Sequence, residues 1–448
     1  MSYKKFIRGK ERKSKVSGFD AEWIPQIAFD WQEYLINWAC KKGRSALFEE
    51  CGCGKTIQQI AFAQNVLCKT NKPALILAPL AVGEQTCREG EKIGIDINHT
   101  KDGTITSGLN ISNYERLHYF NKDDFSCVVL DESSIIKNFA GKFRDDITTF
   151  MKDIPYRLLC TATPSPNDFM ELGTSAEALS EMRRVEMLST FFTHDSKETQ
   201  KWILKGHGEK PFWQWLATWS RAIRRPSDIG FDNGNFILPS LDMVQHTVNS
   251  KTLPGKLFVT EAKTLDDQRS ERKDTAQERC QVTADIANNT NNPFLAWCSF
   301  NYEADLLHKL IPGSVNVQGS DKDTVKEQKL MDFSKGNTRV MITKPSIAGF
   351  GLNWQHCADM SFFPSHSHEQ FYQSVRRCWR FGQSKDVTCN IITSEAESAV
   401  LDNMRRKEKQ AEELFNGIIS GMHDYQTKDI FTYGYKPLDK MEIPKWLK

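Results

Sequence analysis

The chain has 448 residues, 39% hydrophobic and 26% charged, with a formal net charge of +2. That length predicts two to three domains of an ordinary soluble globular kind. The near-balance of charge neither requires nor excludes a polyanionic partner, and no apolar run approaches the roughly 18 residues a membrane helix needs.

The first residues, MSYKKFIRGKERKSK, carry Lys4, Lys5, Arg8, Lys10, Arg12, Lys13 and Lys15 with no apolar stretch behind them. Residues 1–19 read as a basic arm, suited either to phosphate contact or to a solvated tail, and not as a secretory signal. The 12 cysteines include no CxxC pair. That argues against a zinc ribbon or a disulfide framework and favours a reducing cytosol.

Between residues 20 and 45, Trp23, Ile24, Ile27, Trp31, Tyr34, Leu35 and Trp38 recur at helical spacing. Short apolar runs follow at 45–48, 74–78, 126–130 and 156–160, each closed by a turn. Buried strands alternating with helices predict an α/β fold, with a mostly parallel sheet covered on both faces. This first lobe is expected over 20–175. Residues 176–245 then gather Phe191, Phe192, Trp202, Phe212, Trp213, Trp215 and Trp219 among many charges. They read as a helical insertion whose rings are core rather than a face for stacking bases. A charged linker and helix at 246–292 leads to a second α/β lobe over 293–420, with strands expected at 294–297, 314–317, 340–343 and 387–392. The tail, 421–448, shows no clear pattern.

Glu50-Cys51-Gly52-Cys53-Gly54-Lys55-Thr56 lies between an expected strand and an expected helix. Binding a phosphate chain requires close backbone N–H groups, a lysine for the outer phosphates and a hydroxyl for magnesium. Gly52, Gly54, Lys55 and Thr56 supply these at a helix N-terminus, which favours anions. Glu49 stands where the full G-x-x-x-x-G-K-T pattern has its first glycine. Downstream, Asp131-Glu132 closes the run 126–130, at the strand end where nucleotides bind in such sheets. Asp131 is expected to hold magnesium through water, and Glu132 to orient or deprotonate the attacking water.

Further stretches fall in the order found in superfamily-two helicases. Gln32 in FDWQEYLINW resembles the glutamine motif that reads adenine. Ala78-Pro79-Leu80 and Asn113-Tyr114-Glu115 resemble nucleic-acid-contacting motifs. DESSIIKN (131–138) resembles the DEAH-type box, and LLCTATPSPND (158–168) the Thr-x-Thr coupling motif. In the second half, SIAGFGLN (346–353) and QSVRRCWRFGQ (373–383) resemble the fifth and sixth motifs of the Swi/Snf branch.

This resemblance, spanning about residues 25–410, implies two RecA-like P-loop lobes and a DNA-dependent ATPase or translocase that uses ATP and Mg2+. It implies nucleotide contacts from Cys53, Gly351, Arg377 and Arg380. It implies nucleic-acid contacts from Pro79, Asn113, Tyr114, Thr161, Thr163, Ser346, Ala348 and Gly349, with Gln373 in coupling. On a helix, Arg377 and Arg380 would project from one face and serve the phosphates as a cis arginine finger does. Arg224-Arg225-Pro226 resembles the family's Arg-Arg element, which either contacts backbone phosphate or caps the linker.

There are departures. Ser133-Ser134 replaces the usual Ala-His, SFFPSHSHEQ (361–370) lacks the family's early acidic residue, and the insertion is short. A compact DNA translocase is therefore expected rather than a chromatin enzyme. A strand-separating helicase and a nucleotide-gated DNA clamp with little turnover remain the alternatives. A replication, repair or restriction protein would be the partner, in the cytoplasm of a cell or of a virus's host. His366-Ser367-His368 has no acidic or cysteine ligand at a familiar spacing and reads as a surface loop.

Overall fold

The computed structural model describes residues 18–137, 142–194, 202–234, 236–250, 265–348, 353–364 and 367–431. The basic arm through residue 17, Gly349, Gly351, His366 and residues 432–448 lie outside them. The chain forms two units: Met1–Phe236 together with Ala411–Lys448, and Ile237–Gln410.

In chain order, the strands of the first unit are β1 (Arg44–Glu49), β2 (Ala74–Ala78), β3 (Ile97–His99), β4 (Leu109–Asn113), β5 (Cys127–Asp131), β6 (Tyr156–Thr161), β7 (Phe192–His194), β8 (Trp202–Leu204) and β9 (Ser220–Ile223). Seven of them form one sheet in the order β3-β4-β2-β5-β6-β1-β9, and β7 and β8 form a separate antiparallel pair. Every pairing in the large sheet is parallel. The second unit holds β10 (Leu241–Val248), β11 (Phe294–Trp297), β12 (Val315–Asn316), β13 (Val340–Thr343), β14 (Asp359–Phe362) and β15 (Val387–Ser394). They form a parallel sheet in the order β10-β15-β14-β11-β13-β12. Helices flank both sheets, so the fold is α/β with two RecA-like lobes.

The continuous apolar runs have a direct physical origin. Side chains alternate faces along a strand, so a strand covered on both sides is apolar throughout. Phe48, Leu75, Leu77, Val128, Leu130 and Leu159 enter one core. Their neighbours Leu47, Ala74, Ile76, Cys127, Val129, Leu158 and Cys160 enter the core on the other face. The aromatic stretch belongs to the first of these cores: Phe191, Phe192, Phe212, Trp213, Trp215 and Trp219 are all buried in it. Burying each of these rings contributes on the order of 1.5–3 kcal/mol.

Two segments differ from their sequence reading. Residues 176–245, read as a helical insertion, give a strand to each large sheet, β9 and β10. Ser-Arg-Ala-Ile at 220–223 lacks an apolar run, yet its polar side chains are satisfied internally. Arg221 lies over the Trp38 ring at 4.1 Å, and its Nη1 donates to Ala217 O at 2.6 Å. Ser220 Oγ donates to Leu216 O at 2.9 Å. The tail also differs, because the helix Ser398–Phe431 runs past residue 420. Phe415, Ile418 and Met422 enter the core of the first unit. The Gln426 amide accepts from Ala222 N at 2.8 Å and donates to Ala222 O at 3.4 Å, continuing the hydrogen bonding of β9.

In the second unit, the charged stretch before β11 folds as the helices Leu265–Asp274 and Ala276–Asn288. Its arginines turn inward. Arg272 Nε meets Glu397 Oε1 at 2.7 Å, and Arg279 meets Glu303 at 3.2 Å and Glu397 at 3.8 Å. No described helix is long and apolar enough to cross a membrane.

Candidate active site

The loop 50–54 joins β1 to the helix Lys55–Thr70. β9 secures its first residue, with Glu50 N donating to Ile223 O at 2.8 Å. Gly52 and Gly54 have φ of 94° and 78°, in the region where a side chain strains the backbone. A Cβ on Gly54 would also lie 2.3 Å from Gln32 Nε2.

Lys55 Nζ donates to Glu49 O at 2.8 Å and to Glu50 O at 3.1 Å, folding over the loop. Burial pulls the Lys55 ammonium down, but Cys51, Glu132, Glu49 and Cys53 around it outweigh this and hold its pKa above the ordinary lysine value. Glu49 points inward and is fully buried. Its Oε2 accepts from Gln58 Nε2 at 2.9 Å. Burial pushes its pKa up to about 7, against the opposing pull of Lys55 and the Gln58 amide.

Gln32, expected to read adenine, is only 2% exposed. Its Nε2 donates to Cys53 O at 2.9 Å and its Oε1 accepts from Phe29 N at 3.0 Å. Both ends of the amide are thus engaged inside the protein, so as placed Gln32 fastens the loop to the start of the helix Asp30–Lys42. Cys53 is buried as well: its carbonyl also accepts from Gln58 at 3.3 Å, and its thiol donates to Arg224 O at 3.6 Å.

Asp131 ends β5. Its Oδ1 accepts from Gln59 Nε2 at 2.7 Å, and its carbonyl accepts from Tyr114 Oη at 2.5 Å. Glu132 has a φ of 58°, an uncommon conformation that costs about 1 kcal/mol for a side-chain-bearing residue. Its Oε1 accepts from Thr161 Oγ1 at 2.7 Å and from Ser134 Oγ at 3.2 Å. Thr161 Oγ1 in turn accepts from Thr163 N at 3.0 Å. The Thr56 hydroxyl and the Asp131 carboxylate are hard oxygen donors of the kind magnesium takes. Among the described residues no cluster of three or more His, Cys, Asp or Glu is arranged to hold a metal.

The residues expected to touch nucleic acid divide into two groups. Pro79, half-buried after β2, and Thr163, half-buried after β6, stand at the carboxyl edge of the sheet. Tyr114 and Thr161 do not face outward: each is 1% exposed, and their hydroxyls serve Asp131 and Glu132. Tyr114 is a brace for the acidic pair, because its ring belongs to the core. Asn113 Oδ1, Ser133 Oγ, Thr163 Oγ1 and Ser165 Oγ are buried without a hydrogen-bond partner among the described residues. All lie at or just beyond the carboxyl ends of β4, β5 and β6, the edge where open α/β sheets bind ligands.

In the second unit, Ser346 is exposed and Ala348 buried on the short helix Pro345–Ala348. Gln373 is 2% exposed, and neither amide atom has a partner among the described residues. Arg377 and Arg380 are not on a helix. The helix His368–Val375 ends before them, tightened by hydrogen bonds from Arg377 N to Ser374 O at 3.2 Å and Cys378 N to Val375 O at 3.1 Å. Two features divert the chain: Trp379 Nε1 donates to Pro239 O at 2.8 Å, and Gly382 has a φ of 89°. Arg377 is buried, with Nε donating to Gln373 O at 3.0 Å, while Arg380 is half-buried. Gln383 fixes the following turn by donating to Cys357 O at 3.1 Å and Cys378 O at 3.3 Å.

Sequence reasoning did not anticipate Glu49, Gln58 or Gln59 as parts of this site. The two glutamines follow Lys55-Thr56-Ile57 on one helix, close enough to the loop and β5 for that spacing to have been the signal.

No family model matches the chain. It is 26% identical over 201 residues to Helicase SWR1 of Mycosarcoma maydis, a match covering 40% of this chain and 11% of that protein. It is 31% identical over 160 residues to the SWI/SNF chromatin-remodeling complex subunit snf22 of Schizosaccharomyces pombe, covering 31% of this chain and 10% of that protein. These matches thus span about a tenth of the length of either relative. Putative protein p41 of Acyrthosiphon pisum secondary endosymbiont phage 1 is 22% identical over 410 residues, covering 78% of this chain and 87% of that protein.

Proposed function

We propose that this relative of the Swi/Snf-type helicases is a DNA-dependent ATPase that draws itself along its polymer. The observation that carries the reading is the union of three elements in one unit. A glycine loop ends at Lys55, the pair Asp131-Glu132 closes a central strand, and Thr161 is hydrogen-bonded to Glu132.

In this reading ATP enters with its magnesium, and Lys55 leaves the carbonyls of Glu49 and Glu50 for the outer phosphates. Thr56, and Asp131 through water, would hold the magnesium, which would neutralise charge on the phosphates, and Glu132 accepts the proton of the attacking water. Arg377, Arg380, Gly351 and Gln373 join the scheme through the resemblance. Pro79, Asn113, Thr163, Ser346, Ala348 and Gly349 are assigned to the sugar-phosphate backbone, so sequence preference is low. The phage relative supports work in a host cytoplasm, and replication, repair or restriction proteins are the partners proposed.

The test is the ATPase rate of the purified chain without polymer and with single-stranded DNA, duplex DNA or RNA. DNA is expected to raise the rate severalfold, and a rate unmoved by every polymer overturns the reading. One observation favours a second reading, a nucleotide-gated DNA clamp. Ser134 joins Thr161 on Glu132 Oε1, so two hydroxyls compete with a water for that carboxylate oxygen. The clamp predicts nucleotide-dependent DNA binding with turnover at background.

A further inference from the structure

Arg224 takes no part in the scheme above, yet it is tied to the phosphate loop from two sides. It follows β9 in the first unit. Its Nε stands 3.9 Å from Glu50 Oε2, and its carbonyl accepts from the Cys53 thiol at 3.6 Å. Glu50 uses its other oxygen within the loop, accepting from Cys51 N at 2.9 Å. In the opposite direction, Arg224 Nη1 donates to Asn416 Oδ1 at 2.8 Å, and the guanidinium lies over the Phe415 ring at 5.0 Å. Its backbone is pinned as well, with N donating to Asp228 Oδ2 at 2.7 Å. A single planar side chain therefore joins the loop 50–54 to a helix position 192 residues further along the chain.

The electrostatics give this link a purpose. Glu50 is 6% exposed and sits in the loop that would receive a polyanion. Taking the nearby Arg224 cation away makes that carboxylate costlier to bury and strengthens its repulsion of a phosphate chain. The Arg224 guanidinium lies between the two, 3.9 Å from the carboxylate and donating to the asparagine at 2.8 Å, a span that a lysine's point charge does not cover.

We propose that Arg224 is a positioning residue for nucleotide binding, through which Phe415 and Asn416 set the conformation of the loop 50–54. The inference rests on reading that loop as the nucleotide site. Arg224 acts on the shape and charge of the loop and touches no reacting group. Its loss weakens binding and leaves the chemical step nearly intact.

The experiment compares wild type, Arg224→Ala, Arg224→Lys, Asn416→Ala and the double variant Arg224→Ala/Asn416→Ala. The readouts are binding of N-methylanthraniloyl-ATP, kcat and KM for ATP, and thermal unfolding as a check of fold. Arg224→Ala is expected to weaken binding and raise KM about tenfold, with kcat held within about threefold. Arg224→Lys should recover part of that loss, and Asn416→Ala should weaken binding about threefold. The double variant should bind no more weakly than Arg224→Ala, because both changes break one chain of contacts. Wild-type binding and KM in folded Arg224→Ala overturn the proposal, as do additive effects in the double variant. If Arg224→Ala fails to fold, unchanged binding in both Arg224→Lys and Asn416→Ala overturns it instead. A wild-type chain that binds no nucleotide overturns the site reading itself, a result distinct from all of these.

Discussion

The Thr161 hydroxyl donates a 2.7 Å hydrogen bond to Glu132 Oε1, joining the end of β6, where the Thr-x-Thr segment begins, to the acidic pair that closes the neighbouring β5. Under the proposed function this bond orients Glu132 as general base and leaves substrate affinity alone. Thr161→Val keeps the shape and removes the donor. It is expected to lower kcat about tenfold or more while KM for ATP changes little. Steady-state ATPase kinetics check this, and an equal rise in KM would assign the threonine to binding instead.

The proposed function separates binding, at Lys55, from chemistry, at Glu132. Lys55→Ala removes the cation that the loop presents, so both nucleotide binding and turnover should be lost. Glu132→Gln preserves size and hydrogen bonding but cannot take a proton. It should bind nucleotide as wild type does and turn over about 100-fold more slowly. Paired binding and turnover measurements on the two variants check the assignment.

Glu49 gives a pH signature. Burial raises its pKa from 4.5 to about 7, so the folded chain holds this proton more tightly than the unfolded chain. Its contribution to stability is complete below pH 4.5 and is lost as pH rises through about 7. Glu49→Gln removes the ionisation and keeps the volume. Relative to wild type it should gain about 1–3 kcal/mol at pH 8 and lose most of that gain at pH 5. Urea unfolding at the two pH values measures the difference.

The buried charges of the second unit make a prediction about stability alone. Arg279 is fully buried and pairs with Glu303 and Glu397. Arg279→Met leaves the buried Glu303 without its ion-pair partner, while Glu397 keeps Arg272 at 2.7 Å, and should cost about 3–5 kcal/mol. The urea midpoint reports it, with Arg405→Met, on the exposed part of the long helix, as a control expected to stay near wild type.

Much of the fold was legible because its strands are buried on both faces. The runs around Leu47, Ile76, Val129 and Leu158 announce themselves in the sequence, and the structure places each in the central part of the first sheet. β9 was not legible, because Arg221 and Ser220 are polar by type and become buried only through partners supplied by Trp38, Ala217 and Leu216. The glycines and Lys55 of the loop were readable as a motif. The inward turn of Gln32 was not, since its two partners are backbone atoms of Phe29 and Cys53 that no side-chain pattern reveals. The helical placement of Arg377 and Arg380 failed for a similar reason. The helix stops at Val375, and beyond it Trp379 reaches Pro239 O, a contact spanning 140 residues that no local pattern reveals.

The packing of Met422 and Gln426 against β9 has a consequence for biogenesis. Gln426 and Ala222 are 204 residues apart in the chain. During synthesis at about 5–20 residues per second, β9 leaves the ribosome many seconds before the helix that completes its edge. Until then the newborn lobe lacks Phe415, Ile418 and Met422 from its core, and the backbone of Ala222 lacks the Gln426 amide. A ribosome stalled before residue 410 would therefore hold a lobe open to chaperones and proteases.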